Sequence, residues 1–400
     1  MFRRYRTLFL LVALLLIGFG LFWIFGRARR TDTKYRIGVV LAQSGKADFI
    51  GKPERTVLEE MIKDYQSKDP HLAPGLELVY KDSVGDPTQA LSIFNSFAED
   101  SSYIAVIGPS TSGEALILAP AADKAEIPLL TLAASKQIVE IDVNGQKRTR
   151  PWIFKFAQND DLAAERLVNV MARNNQKSVA LLYSNDGYGK SGASVFREKV
   201  GATGNLKIDY EAPFEPGLSE PGPIVAAVPP TVQAVMIWGT APGPALIIKE
   251  MKRVGSTANI YLSHGNASSD FIKSAGPAAE GAIIVGSRVL TDSKFLNDKD
   301  PADKVILDYQ NFWRAKKLPG APSHFGGHAR DALEAIIKVL ENAESPKRSD
   351  VRNGLERLNN FNGVTGTFTF SPDDHAGLGL AAFETYLIRD GAFIPLEKAQ

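Results

Sequence analysis

After residue 34 the chain alternates short apolar runs with stretches of helical periodicity. Tyr35–Ala42 is a β-branched apolar run that ends at Ser44-Gly45. Glu54–Gln66 then places Val57, Leu58, Met61, Ile62 and Tyr65 at helical spacing, with Pro53 in its first turn. The same reading predicts strands at Leu76–Lys81, Tyr103–Ile107 and Leu129–Leu132, with helices at Thr88–Ala98 and Gly113–Ala125. Beyond residue 150 the alternation returns. Strands are predicted at Ser178–Tyr183, Ala234–Trp238, Ile260–Leu262 and Ala282–Val285, separated by helices at Asp161–Arg173, Ser191–Val200 and Ala245–Arg253. Long helices follow at Ala302–Lys316 and His328–Asn342, and a strand pair, Thr367–Phe370 with Phe383–Arg389, closes the chain. Buried strands alternating with helices mean βαβ units and parallel sheets covered on both faces. About ten strands strain one open sheet. The expected fold class is therefore α/β, with two doubly wound Rossmann-like lobes.

In doubly wound sheets a ligand sits beyond the carboxyl ends of the strands. Three such loops are rich in small and hydroxyl residues: Ser44-Gly45, Gly108 to Gly113, and Ala133-Ala134-Ser135. Ser112 and Gly113 also open a helix, whose free N–H groups and positive dipole end favour an anion. A serine in that place can equally be a simple N-cap.

Before residue 34 the pattern is different. Leu8–Phe25 is eighteen residues without a charge, flanked by Arg3, Arg4 and Arg6 on one side and Arg27, Arg29 and Arg30 on the other. As a helix it would span about 27 Å, against a hydrocarbon core of about 30 Å. The only small-x-small cleavage candidate, Gly26-Arg27-Ala28, runs straight into two arginines. Residues 1–34 are therefore expected to be a membrane anchor, with a cleaved signal segment as the other possibility. Net charge is +1, yet removing the six N-terminal arginines leaves 40 basic against 45 acidic residues. That mildly acidic body has no electrostatic footprint for nucleic acid. The absence of cysteine excludes disulfides, thiolate metal sites and Cys nucleophiles.

Several segments imitate known chemistry. Ser184–Ser191 ends in Gly-Lys-Ser after a strand, but the glycine that a phosphate-binding loop needs five positions earlier is Ser184. Ser110 and Ser112 fail as a nucleophile elbow, because residue 112 is not glycine. His324 and His328 are four apart at a helix start, spacing that could hold a metal, although the two glycines between them suit a helix entry with structural histidines. Asp160-Asp161 begins a helix and Asp373-Asp374 follows a Ser-Pro turn. No catalytic constellation, cofactor motif or metal set emerges, and an enzyme is not expected.

The ordered segments Ile37–Leu41 with Ser44-Gly45, Tyr80-Lys81-Asp82 with Asp86-Pro87, Val106–Ser112, Ile127-Pro128, Asp186–Gly189, the His328–Leu333 helix and Gly366–Phe370 together resemble the branched-chain amino-acid-binding family of the type I periplasmic binding fold. The resemblance spans about residues 34–395 and rests on the ordered set rather than on one motif. It implies two lobes joined by a three-crossing hinge: 35–155 plus 287–365, and 156–286 plus 366–400. The crossings would lie near Lys155-Phe156, Gly286-Ser287 and Gly366–Phe370. It further implies that Ser112 binds a ligand carboxylate, that Ala133 and Ser135 add backbone and hydroxyl contacts, and that Ile50 forms a pocket wall. Tyr188 would close over the ligand from the second lobe. Thr240 and Ala241 occupy a loop where amino-acid binders usually carry an aromatic residue. His264 falls where such binders hold an acid for the ligand's ammonium. A buried ammonium without an anion is costly, so this favours a carboxylate or amide lacking a free α-amino group, such as an aromatic or aliphatic acid. A one-residue shift in register would restore an ammonium partner. The resemblance thus implies an extracytoplasmic receptor delivering its ligand to ABC permease membrane subunits, in the periplasm or tethered to its membrane. The anchor raises an alternative, a tethered sensor acting on an envelope protein.

Overall fold

The computed structural model describes residues 35–68, 75–341 and 346–399. The strands are β1 Tyr35–Leu41, β2 Leu76–Asp82, β3 Tyr103–Ile107, β4 Leu129–Thr131, β5 Glu140–Val143, β6 Gln146–Thr149, β7 Ile153–Lys155 and β8 Ser178–Ser184. They continue with β9 Lys207–Phe214, β10 Ala234–Trp238, β11 Asn259–Leu262, β12 Ile283–Ser287, β13 Phe361–Asn362, β14 Thr367–Phe368, β15 Phe383–Arg389 and β16 Ala392–Pro395. The α-helices are α1 Asp48–Lys68, α2 Pro87–Glu99, α3 Ser112–Ala125, α4 Asp160–Arg173, α5 Gly187–Thr203 and α6 Gly222–Ala226. After them come α7 Gly243–Arg253, α8 Ser269–Ala275, α9 Pro301–Ala315, α10 His324–Leu340 and α11 Arg348–Leu355.

Two separate sheets form. The first has the order β2-β1-β3-β4-β7, all parallel. Its strands are apolar on both faces because both faces are covered. Ile37, Val39 and Leu41 of β1 pack with Leu58 of α1 and Leu333 and Ile336 of α10. Val40, on the opposite face, packs with Phe94 and Phe97 of α2 and Leu118 of α3. The second sheet has the order β16-β15-β12-β11-β10-β8-β9, parallel from β8 to β12 with β15 and β16 antiparallel. Helices α4 and α5 cover one face through Leu167, Met171 and Phe196. The other face is covered by Ile248 and Met251 of α7 and Phe271 of α8. Two doubly wound units are therefore present.

The chain passes from the first sheet to the second between Lys155 and Asp160, and back to helices over the first sheet after Ser287. The third passage differs from the expectation at Gly366–Phe370. Phe368, Phe370 and Leu378 are buried in the first core with Phe154 and Phe156, and the second core begins at Phe383. The rings of Phe154 and Phe370 meet edge to face at 5.5 Å. Burying a Phe side chain stabilises by roughly 1.5–3 kcal/mol, which holds this segment on the first unit and moves the passage to Ala382-Phe383. The expected strand pair also re-partners. Thr367-Phe368 pairs with Phe361-Asn362, whereas β15 lies between β12 and β16. Helix α1 starts at Asp48, so Pro53 lies inside it rather than in its first turn.

The apolar segment Leu8–Phe25 falls outside the described residues. Among those described, no helix is long and apolar enough to cross a membrane.

Candidate functional site

The carboxyl ends of the two sheets face each other across the passages, and the candidate residues collect there in two groups. In the first, Thr111, not Ser112, is the N-cap of α3. Its hydroxyl accepts from the Glu114 N–H at 3.4 Å, and the Glu114 carboxylate accepts from the Thr111 N–H at 3.1 Å. This capping box leaves the Ser112 hydroxyl available for another task. Ser112 is buried, and its Oγ accepts from the Ser135 N–H at 3.2 Å. The loops after β3 and β4 are thereby brought together. Ala133 lies between them with its N–H donated to Thr131 Oγ1 at 3.3 Å.

From Ser135 the contacts cross to the second unit. Its hydroxyl lies 2.6 Å from that of Ser191 in α5, which donates to the Asp160 carboxylate at the start of α4. Asp160 also accepts from the Lys136 N–H at 3.0 Å. Burial raises the Asp160 pKa, opposed by the nearby Lys155 charge and by the Ser191 hydrogen bond. Lys155 is itself buried within the apolar run Ile153–Phe156, and its ammonium donates to Ala134 O and Asn159 Oδ1. Desolvation pulls its pKa down to about 8, against the attraction of Asp160 and Asp161.

The second group is aromatic. The Tyr188 hydroxyl lies 3.3 Å from His264 Nδ1 and accepts from the Gly265 N–H at 2.9 Å. A Cβ on Gly265 would come within 2.8 Å of the Tyr188 ring and 3.0 Å of the Thr240 methyl, so glycine is what lets these residues nest. Ala241 follows Thr240, and both are half-buried. The His264 ring is boxed edge-on by Tyr188 at 5.4 Å, Phe383 at 5.4 Å and Trp238 at 6.1 Å.

Opposite stands the entry of α10. His324 and His328 are buried, with ring centroids 5.4 Å apart, and Phe325 meets Phe49 edge to face at 6.0 Å. Ile50, adjacent to Phe49 in the chain, is buried. Asp331 fixes the helix. Its carboxylate accepts from the Val364 N–H (2.7 Å), the Thr365 N–H (2.8 Å) and the Thr365 hydroxyl (2.6 Å). Desolvation lowers the His264 pKa to about 3, helped by His324 and Lys155. His324 is lowered to about 4 by desolvation, which the Ala267 backbone partly offsets. His328 is lowered well below the ordinary histidine value by desolvation, with His324, His264 and Lys155 adding to it. All three are neutral at pH 7. His264 Nε2 and His328 Nδ1 are buried without hydrogen-bond partners, and the buried His324 ring has only the Ala267 backbone carbonyl within reach of one nitrogen.

The two halves touch at their lips. A Cβ on Gly187 would sit 2.9 Å from Gly113 Cα and 3.0 Å from its N, and one on Gly217 would sit 2.8 Å from Lys46 Nζ. The helix starts of α3 and α5 thus meet glycine to glycine.

The phosphate-loop imitation has a local explanation. Asp186 caps α5, accepting from the Gly189 N–H at 2.8 Å and the Ser184 hydroxyl at 2.9 Å, so a carboxylate of the chain itself takes that helix end. Among the described residues no cluster of three or more His, Cys, Asp or Glu has metal-holding geometry. Sequence reasoning brought forward Ser112, Ser135, Tyr188 and His264 but missed Lys155, Asp160 and Ser191, and read His324 and His328 as a structural pair. The lysine inside Ile153-Phe154-Lys155-Phe156 was a usable signal, since a cation there needs buried partners. The nearness of His324 to His264, sixty residues away, has none.

The chain is similar to proteins of known type over nearly its whole length. A family model described as "Periplasmic binding protein" matches residues 34–384. The Leu/Ile/Val-binding protein homolog 2 of Brucella abortus (strain 2308) is 24% identical over 369 residues, covering 90% of this chain and 93% of that one. An extracellular ligand-binding receptor from Rhodopseudomonas palustris HaA2 superposes with a TM-score of 0.80 at 24% identity, over 91% of this chain and 100% of that one. The branched-chain amino acid transporter substrate-binding protein LivJ of Streptococcus pneumoniae, solved in complex with isoleucine, gives 0.75 at 21% identity, over 90% and 98%.

Proposed function

The chain belongs to the periplasmic binding protein family, a family of solute receptors, and from that premise we propose that it captures a small carboxylate- or amide-bearing solute between its two lobes and releases it unchanged. The lobes are taken as 35–155 plus 287–382 and 156–286 plus 383–399. The observation that carries this reading is the Ser112–Ser135–Ser191–Asp160 chain of hydrogen bonds, which draws hydroxyls from both lobes to the start of α3. A ligand carboxylate there would meet the Ser112 hydroxyl and the positive end of a 14-residue helix. Ala133 and Ser135 would flank it, with Tyr188, Thr240 and Ala241 on the opposite side and Ile50 at the wall.

The far side disfavours an α-ammonium. The charge acting on His264 at pH 7 is the Lys155 cation, and a buried ammonium left unpaired costs several kcal/mol. An amino acid is the competing ligand, since a structural neighbour holds isoleucine. Ligand would stabilise the closed arrangement by its differential affinity for it, and the closed form would be offered to ABC permease membrane subunits on the periplasmic side. The Leu8–Phe25 segment would hold the receptor at the membrane. The same tether would suit a sensor, which co-purification with envelope enzymes rather than permease subunits would identify.

A thermal-shift screen of the full-length chain against amino acids, amides and organic acids tests the reading. A ligand at about 100 times its Kd adds about 2.7 kcal/mol. A panel in which only leucine, isoleucine and valine stabilise would overturn the preference against amino acids. A panel without any stabilising solute, together with scattering profiles unchanged by solute, would overturn the receptor reading.

A further inference from the structure

Among the described residues, three buried imidazoles with unpartnered nitrogens gather at the lobe boundary. His264 comes from the loop after β11, while His324 and His328 come from the first turns of α10, so both lobes contribute. Each is at least 96% buried, and three of their six ring nitrogens have no partner within reach. A buried polar group left without a partner costs about 1–3 kcal/mol, and clustering makes a purely structural role expensive. Lys155 ties this cluster to the carboxylate end. Its ammonium donates to Ala134 O, next to Ser135, and its charge acts on both His264 and His328. Lys155 thus links the two ends electrostatically.

The partnered nitrogens constrain the tautomers. Gln158 donates through Nε2 to Thr365 O at 3.0 Å and Ala382 O at 3.5 Å, so its Oε1 faces His328 Nε2 at 3.0 Å as an acceptor. His328 Nε2 carries the proton, and Nδ1 is left as a lone pair. The Tyr188 oxygen accepts from Gly265 N–H, and in the tautomer where its own proton goes to His264 Nδ1 the second imidazole nitrogen is the protonated one. His264 Nε2 then carries a proton and no acceptor. In that tautomer the lobes present one free donor and one free acceptor, and His324, whose N–H faces the Ala267 carbonyl, adds a second lone pair.

We propose that His264, His324 and His328 form the second recognition end of the cleft and select a ligand whose group opposite the carboxylate both donates and accepts a hydrogen bond, a hydroxyl or a primary amide. This rests on the receptor reading above and names its substrate class. A methyl group there would leave the three free nitrogens unpartnered. A second carboxylate would meet the His328 lone pair. An ammonium would satisfy lone pairs but would lie near the Lys155 cation.

Calorimetric titration of the full-length chain with two matched series tests this. One is 4-hydroxybutanoate, succinamate, pentanoate and 4-aminobutanoate; the other is 4-hydroxybenzoate, 4-carbamoylbenzoate, 4-methylbenzoate and 4-(aminomethyl)benzoate. In whichever series fits the cleft, the hydroxyl or amide member binds at least about tenfold tighter than the methyl member, and the ammonium member binds more weakly still. His324→Phe and His328→Phe bring the hydroxyl-to-methyl ratio close to one while the methyl member keeps its affinity, and His264→Gln, which retains a donor, keeps more of the ratio than His264→Phe. Equal or tighter binding of the methyl or ammonium members to the unaltered chain overturns the proposal and leaves a carboxylate receptor standing. Failure of every carboxylate to bind overturns both. The comparison among ligands uses the unaltered chain, so it stands even where a variant folds poorly.

Discussion

The two ends of the cleft are built on opposite terms. At the serine end every hydroxyl and the Asp160 carboxylate already have partners, and the chain of contacts runs from one lobe into the other. At the histidine end the rings are just as buried, yet half of their nitrogens face nothing. The first end is held ready whether or not a solute is present. The second, in the proposal above, is completed by one. Removing a polar group should therefore weaken the free protein at the serine end and strengthen it at the histidine end, a contrast that substitution can break.

The largest expected effect is at His324. One of its nitrogens has no partner, the other has only the Ala267 backbone, and its ring stacks obliquely against Phe325 at 4.0 Å. His324→Phe should stabilise the ligand-free protein by about 1–2 kcal/mol at pH 7 by removing an unsatisfied buried group. The gain should widen in acid. The folded-state pKa of about 4 lies below the unfolded value of about 6.5, so the neutral ring supports the fold above pH 6.5 and that support is lost as pH falls toward 4. The wild-type chain then loses about 1.4 kcal/mol per pH unit that the variant does not. Urea titrations of the pair at pH 7 and pH 5 measure it; a constant difference would place the ring in contact with water. Comparing the pair is essential, because Asp331, raised to about 6 by burial, shifts the stability of both chains in the opposite sense.

Next comes the lip. Gly187→Val places a side chain where Gly113 leaves no room, so the closed form should be lost and solute affinity should fall at least about 100-fold, about 2.7 kcal/mol. Solute-free melting should change little, because the contact joins lobes rather than building either core. Binding by calorimetry beside a thermal melt separates the two effects. At the serine end Ser112→Ala should cost about 1–3 kcal/mol of binding, the worth of a hydrogen bond to a charge, read as a five- to hundredfold rise in Kd. The smallest effect is expected for Ser191→Ala. It touches the solute only by orienting the Ser135 hydroxyl and should cost about 0.5–1.5 kcal/mol, seen equally in melting and in affinity. An effect on affinity alone would mean that Ser191 reaches the ligand itself.

How much of this was readable beforehand follows the physics of each element. Strands such as Tyr103–Ile107 and Ala234–Trp238 are uniformly buried and stand out as apolar runs. Strand β9, Lys207–Phe214, alternates exposed and half-buried positions at the sheet edge and carries three charges, so it escaped notice. The β5–β6 hairpin went unread although its turn, Asn144-Gly145 with φ of 57° and 78°, is the strongest short hairpin signal there is. Thr367–Phe370 and Phe383–Arg389 were joined because both are apolar and close in sequence; only the packing of Phe370 against Phe154 separates them. At the site, Ser112 and Ser135 could be found because strand-end loops are where α/β sheets bind. The Asp160–Ser191 link and the meeting of His264 with His324 depend on how two lobes lie against each other, which no local pattern encodes.

The lip contacts have a practical side. The chain has no cysteine, so thiols introduced at Lys46 and Gly217, whose positions meet at the rim, would be the only sulfhydryls in the molecule. A dye pair attached there would change its fluorescence with each opening of the jaws, and a receptor whose solute is still to be identified would become the instrument that identifies it.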